Sequence, residues 1–182
     1  MPTYHTEKTI LTYVVLHEAS WSSLKQAKDA EGGRFYNCMA AMVFSAFAME
    51  AYLNHVGPIY VAELWKKERS LGHDGRLKAI ADAAKFTLDF SCRPFSTLPA
   101  LFKFRDTLAH ARTEHLAQEE VVETFGETPD LPEAEWEREV SLANAQMYHH
   151  DTEQMIRTLH FQLALKDDPF FTGWLGKWHT KP

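Results

Sequence analysis

Between about residues 35 and 56 the chain is apolar on almost every side, and over Cys38 to Leu53 only Ser45 and Glu50 interrupt the run. A helix without a polar face has no place at a surface, so this stretch predicts a central helix on which the rest must pack. Gly57-Pro58 reads as its stop. The run falls short of the 18 uninterrupted apolar residues that argue for a membrane span, so a buried helix is expected and no membrane partner.

The flanking sequence predicts more helices. Residues near 8 to 29 place Ile10, Val14, His17, Trp21 and Leu24 on one face, and Gly32-Gly33 breaks the pattern. A shorter helix is expected over about 59–70, closed by Gly72-His-Asp-Gly75, with another over 76–89. Cys92-Arg-Pro94 interrupts before a helix at 97–110. Residues 113–125 suit either a helix or a short hairpin, and Glu127 to Pro132 reads as a loop. A long helix then runs from Pro132 or Glu133 to about Leu165. Asp167-Asp168-Pro169 reads as the cap of a last short helix carrying Phe170, Phe171, Trp174 and Trp178, a stripe suited to packing on the bundle or to a partner surface. The expectation is an all-α, up-and-down bundle in one domain over residues 1–182, with a long C-terminal helix and a short terminal one.

Two cysteines, Cys38 and Cys92, cannot make a disulfide scaffold or a cysteine zinc site. The N-terminus lacks the basic and apolar blocks of a secretory signal, and a cytoplasmic protein is expected. The net charge of −6 is unevenly spread. Residues 60–112 hold ten Lys or Arg against six Asp or Glu, whereas 113–155 hold one Arg against twelve acids. An acidic segment behind a basic one disfavours broad nucleic-acid binding, which relies on neutralising phosphates. It is compatible with a narrow cleft near Arg105 or a basic partner and, more simply, with a solvated helix face. Lys66, Lys67, Arg69, Arg76, Lys78 and Lys85 fit a phosphate-tracking stripe or, more simply, a wet surface.

The segment Arg105-Asp-Thr-Leu-Ala-His110 follows the apolar run Leu98 to Phe104. A fixed cation near a group that titrates around neutrality suits chemistry on a phosphodiester. Five residues correspond to roughly 500° of helix, so the two side chains diverge by roughly 140°. They meet only if the helix loosens near His110 or if a second chain supplies one of them. Asp106 and His110, four apart, share a face, where Asp106 would orient the imidazole or form an ordinary pair. Glu50 lies in the central helix with Asn54 one turn on, and a carboxylate there needs a partner, for which Arg105 is the natural choice.

The R-x-x-x-x-H pattern at Arg105 and His110, with a polar residue directly after the arginine and the helix Phe44 to Asn54 before it, resembles the HEPN superfamily. The resemblance spans roughly residues 34 to 165. It implies a small helical domain, a homodimer whose two motifs face each other, and metal-independent RNA cleavage. In that chemistry a ribose 2′-hydroxyl attacks the adjacent phosphate, with His110 as general base or acid and Arg105 stabilising the phosphorane. Catalytic Arg105, His110 and Asp106, supported by Glu50 and Asn54, are the expected site. RNA and an antitoxin or other protein are the expected partners. The alternative is a non-catalytic member of the same family that binds a nucleotide or a protein.

No cofactor or metal is expected. His110-Ala-Arg-Thr-Glu-His115 has one residue too many for the inverted zinc-protease motif, and no Glu-x-x-His occurs. His149 and His150 are adjacent on one helix and diverge. Glycine-rich phosphate loops and the G-x-S-x-G elbow are absent.

Overall fold

The computed structural model describes residues 3–29, 32–119, 128 and 130–181. Among these residues the protein is an all-α helical bundle with a small two-stranded sheet. Strand β1 (Thr3–Ile10) leads into α1 (Thr12–Asp29), α2 (Arg34–Tyr60), α3 (Ala62–Trp65) and α4 (Glu68–Ala83). A short 3-10 turn over Phe95–Thr97 opens α5 (Leu98–Ala109). After the connection come α6 (Glu135–Glu139), α7 (Leu142–Gln162) and strand β2 (Trp174–Lys181). None of the described helices is long and apolar enough to cross a membrane.

The apolar helix α2 takes the central place its composition demands. Ala41, Met42, Ala46, Met49, Tyr52, Leu53 and Val56 are all fully buried, and α1, α4, α5 and α7 pack around it. Each neighbour presents one stripe: Val14 and Leu24 on α1, Leu77 and Ile80 on α4, Leu101 and Phe104 on α5, Met155, Ile156 and Leu159 on α7. Buried side chains from all of them form one contiguous core. Asp151 of α7, itself buried, receives Arg93 through Nε and Nη2 at 2.7 Å each and also the Thr97 hydroxyl, which pins the start of α5 to α7.

Several expected boundaries move. Gly57-Pro58 does not end α2, which runs to Tyr60 with Pro58 inside its last turn. Gly57 serves a different purpose: a Cβ there would lie 2.3 Å from the Trp65 ring, so its bareness lets α3 fold back onto α2. The helix expected over 59–70 is divided between α3 and the start of α4. Gly72, at φ +60°, kinks α4 instead of ending a helix before it. α4 stops at Ala83, well short of 89, because Lys85 turns left-handed and the Phe86 N–H reaches back to the Ala81 carbonyl. Residues 111–119 are neither helix nor strand, and 120–127 lie outside the described residues.

The long helix expected from 133 to 165 is broken at Val140-Ser141. There the Ser141 hydroxyl accepts the Asn144 N–H at 3.1 Å and caps a new helix, α7. Both chain ends depart from the helical expectation. The stretch from residue 8 is strand until Ile10, which is exposed, and Trp174 to Lys181 is a strand, not a helix. The two pair antiparallel, from Thr3↔Lys181 to Ile10↔Trp174. A spacing of four residues puts side chains on one face of a helix and equally of a strand, so Trp174 and Trp178 could not tell the two apart.

Candidate functional site

Arg105 lies near the end of α5 with its side chain 13% exposed, turned toward α2 and α4. Its Nη2 donates to Glu50 Oε2 at 2.9 Å and to His73 Nε2 at 2.8 Å, while Nη1 stands 2.9 Å from Asp106 Oδ1. The guanidinium also lies over the rings of Phe47 and Phe102, at 5.9 and 5.7 Å. Its Nε is buried and has no hydrogen-bond partner among the described residues. The site is therefore an ion cluster built on the central helix. Glu50, on the α2 turn that faces α4 and α5, also meets Arg76 Nη1 at 3.4 Å. Arg76 in turn donates to exposed Asn54 at 3.4 Å and lies over Trp65.

His73 and Arg76 belong to this cluster although sequence reasoning did not place them there. The kink at Gly72 swings His73 over α5, where its ring stacks on Phe102 at 4.0 Å and 9° between planes. Because Nε2 accepts from Arg105, the proton of the neutral ring sits on Nδ1, which is 3.8 Å from Glu50 Oε1. Burial lowers the His73 pKa below the ordinary histidine value, Arg105 and Arg76 add to that, and Glu50 and Asp106 oppose it. The signal that could have exposed these residues is the Gly-His-Asp-Gly sequence itself, a histidine flanked by the glycines of a bend.

His110 is placed differently. It is the C-cap of α5, with φ −115° and ψ 15°, its N–H bonded to the Asp106 carbonyl and its side chain exposed. Among the described residues no hydrogen bond or ion pair joins it to Arg105 or to the Asp106 carboxylate. Loosening of the last turn thus leaves the two motif residues apart within one chain. A cleft of about 340 Å³ opens beside the cluster, bounded by His73, Phe102, Lys103 and Asp106. Lys103 at its rim pairs with Glu135 at 3.0 Å. A larger cleft of about 580 Å³, between the α7 end, α1 and β2, contains none of the expected site residues.

Searches against family models, curated proteins and solved structures find no match to this chain. The helical bundle and the Arg105 cluster accordingly stand on their own geometry.

Proposed function

We propose that the chain is a HEPN-like, metal-independent RNA endonuclease whose Arg105 and His110 act across a homodimer. The observation that carries this reading is the contrast between the two motif residues: Arg105 is clamped by Glu50 and Asp106, and His110 stands exposed one turn on at the helix end. A clamped cation is preorganised for a developing phosphorane charge. An exposed imidazole is free to reach RNA or a second subunit. In the reaction the 2′-hydroxyl proton passes to His110, the oxygen attacks phosphorus, and the 5′-oxygen departs with a proton from the partner's imidazole or from water.

The test is cleavage of single-stranded RNA by the purified protein in excess chelator. Cleavage is expected, with losses of roughly 10²-fold or more in His110→Ala and Arg105→Ala. Activity that survives both substitutions removes the assignment.

A second reading is favoured by the enclosure of Arg105. Two carboxylates already offset its charge, which leaves it poorly placed to grip a phosphate. On that reading the chain is a non-catalytic HEPN-like module that binds a nucleotide or a protein such as an antitoxin. RNA left intact by a folded protein, together with binding of either ligand, decides for it.

A further inference from the structure

His17 sits on the inner face of α1, 7% exposed, and neither ring nitrogen has a hydrogen-bond partner among the described residues. Buried polar atoms without partners are uncommon and costly. Two other donor groups converge on it from α7. His149, also 7% exposed, packs its ring against His17 at 4.4 Å between centroids, and Glu153 follows one turn later on the same face. One donor atom from each of the three residues lies within 4.8 Å of the others. None of these residues belongs to the Arg105 cluster.

The second layer of contacts is that of a ligating histidine. Ser20 Oγ donates to the Ala41 carbonyl at 2.9 Å and stands 3.0 Å from His149 Nδ1. Ser45 Oγ donates to the same carbonyl at 2.8 Å. Ser20 Oγ also stands 2.9 Å from Ser45 Oγ; with its proton on the Ala41 carbonyl, Ser20 is placed to accept from His149 Nδ1–H, the arrangement that leaves Nε2 as a lone pair. Arg157 Nε holds Glu153 Oε1 at 2.8 Å, leaving the other carboxylate oxygen available. Phe170 lies against the His17 ring at 4.3 Å and Trp21 stands 5.7 Å from His149, so the donors have aromatic neighbours. Burial also keeps both imidazoles in their neutral, ligating form.

We propose that His17, His149 and Glu153 bind a divalent transition-metal ion of the zinc class and so clasp α1 to α7. Two imidazoles and a carboxylate suit a borderline ion better than calcium or magnesium, which take oxygen donors. Tetrahedral donors at about 2.0–2.1 Å from an ion lie roughly 3.4 Å apart. The two imidazole planes lie 23° apart, so closing the site asks for rotation of the rings as well as a closer approach of the donors. Glu153 is the least buried of the three, and water is the natural fourth ligand.

The experiment uses chelator-stripped full-length protein titrated with Co²⁺ and then Zn²⁺. One Co²⁺ per chain is expected, with a visible d–d band of tetrahedral intensity that one equivalent of Zn²⁺ abolishes and with a rise in Tm on Zn²⁺ addition. Glu153→Gln should weaken binding at least about tenfold, His17→Gln should remove the band, and Ser20→Ala should weaken binding by about 10–100-fold. Circular dichroism establishes that each variant is folded; if His17→Gln is not, Glu153→Gln carries the test alone. Absence of the band in folded wild-type protein overturns the proposal. So does a band that folded ligand variants leave unchanged, since the ion would then sit on other histidines.

Discussion

Glu50 faces two guanidinium groups at once, Arg105 at 2.9 Å and Arg76 at 3.4 Å, from a helix whose other residues are almost all apolar. Its side chain is 25% exposed, so the pair is neither fully desolvated nor free in water. Glu50→Gln should destabilise the fold by about 1–3 kcal/mol, below the penalty for breaking a wholly buried pair. Urea unfolding reads the difference, and a shift within about 0.5 kcal/mol would mean that the arginines' other contacts, among them Asp106, His73, Asn54 and the aromatic rings, hold them without Glu50. His73 gives the cluster a sign with pH. Its folded pKa is lowered, so its contribution to stability is present above the ordinary value of 6.5 and is lost as pH falls through the depressed folded value. Protonation would put an N–H against the Arg105 N–H that Nε2 now accepts. Acid should therefore destabilise wild type more steeply than His73→Phe, which keeps the stack on Phe102; parallel stability-against-pH curves would refute this. The Glu50–Arg105 partnership was legible in the sequence, because a lone carboxylate in an apolar helix demands a cation. The share of His73 was not, because it depends on how far a glycine bends α4.

At the scale of elements, the helices with one continuous apolar stripe were legible, and their ends were not. α5 is the clear case: Pro94 before it and the apolar run to Phe104 locate it almost to the residue. The long C-terminal helix failed because Val140-Ser141 carries no glycine or proline, and only a serine hydroxyl marks the restart. That cap makes a direct prediction: Ser141→Ala should lower stability by about 1 kcal/mol. At its other end α7 closes through Ala164 at φ +57°, with the Leu165 N–H bonded to the His160 carbonyl. A residue with a Cβ is strained there, so Ala164→Gly should raise stability by about 0.5–1 kcal/mol, an unusual gain for glycine. Thermal unfolding of the two variants should move in opposite directions. The strands were hidden because they pair across nearly the whole chain, with no local turn to announce them.

For the molecule as a whole, central α2 and its ring of partners leave the α5 end open to solvent, where His110 and Ala109 are exposed. Arg105 and His110 do not meet within one chain, so the proposed nuclease needs a second copy to complete its site. Light scattering at roughly tens of micromolar should show a dimer, and Ala109→Glu should weaken it by placing a charge beside the proposed two-fold. A monomer at that concentration would leave only the binding-module reading.

The ribbon of β1 and β2 has a mechanical consequence. Thr3 sits opposite Lys181, and the pairing runs inward to Ile10 and Trp174, where the Leu11 N–H bonds to the Gly173 carbonyl at 2.8 Å beside the bundle. Whatever is attached before residue 3 and after residue 181 leaves from the same corner. Tension between those attachments acts across the strands rather than along them, so the hydrogen bonds give way in turn instead of sharing the load. A pull strips the ribbon first, one pair after another, and reaches the helices only when the last pair has parted.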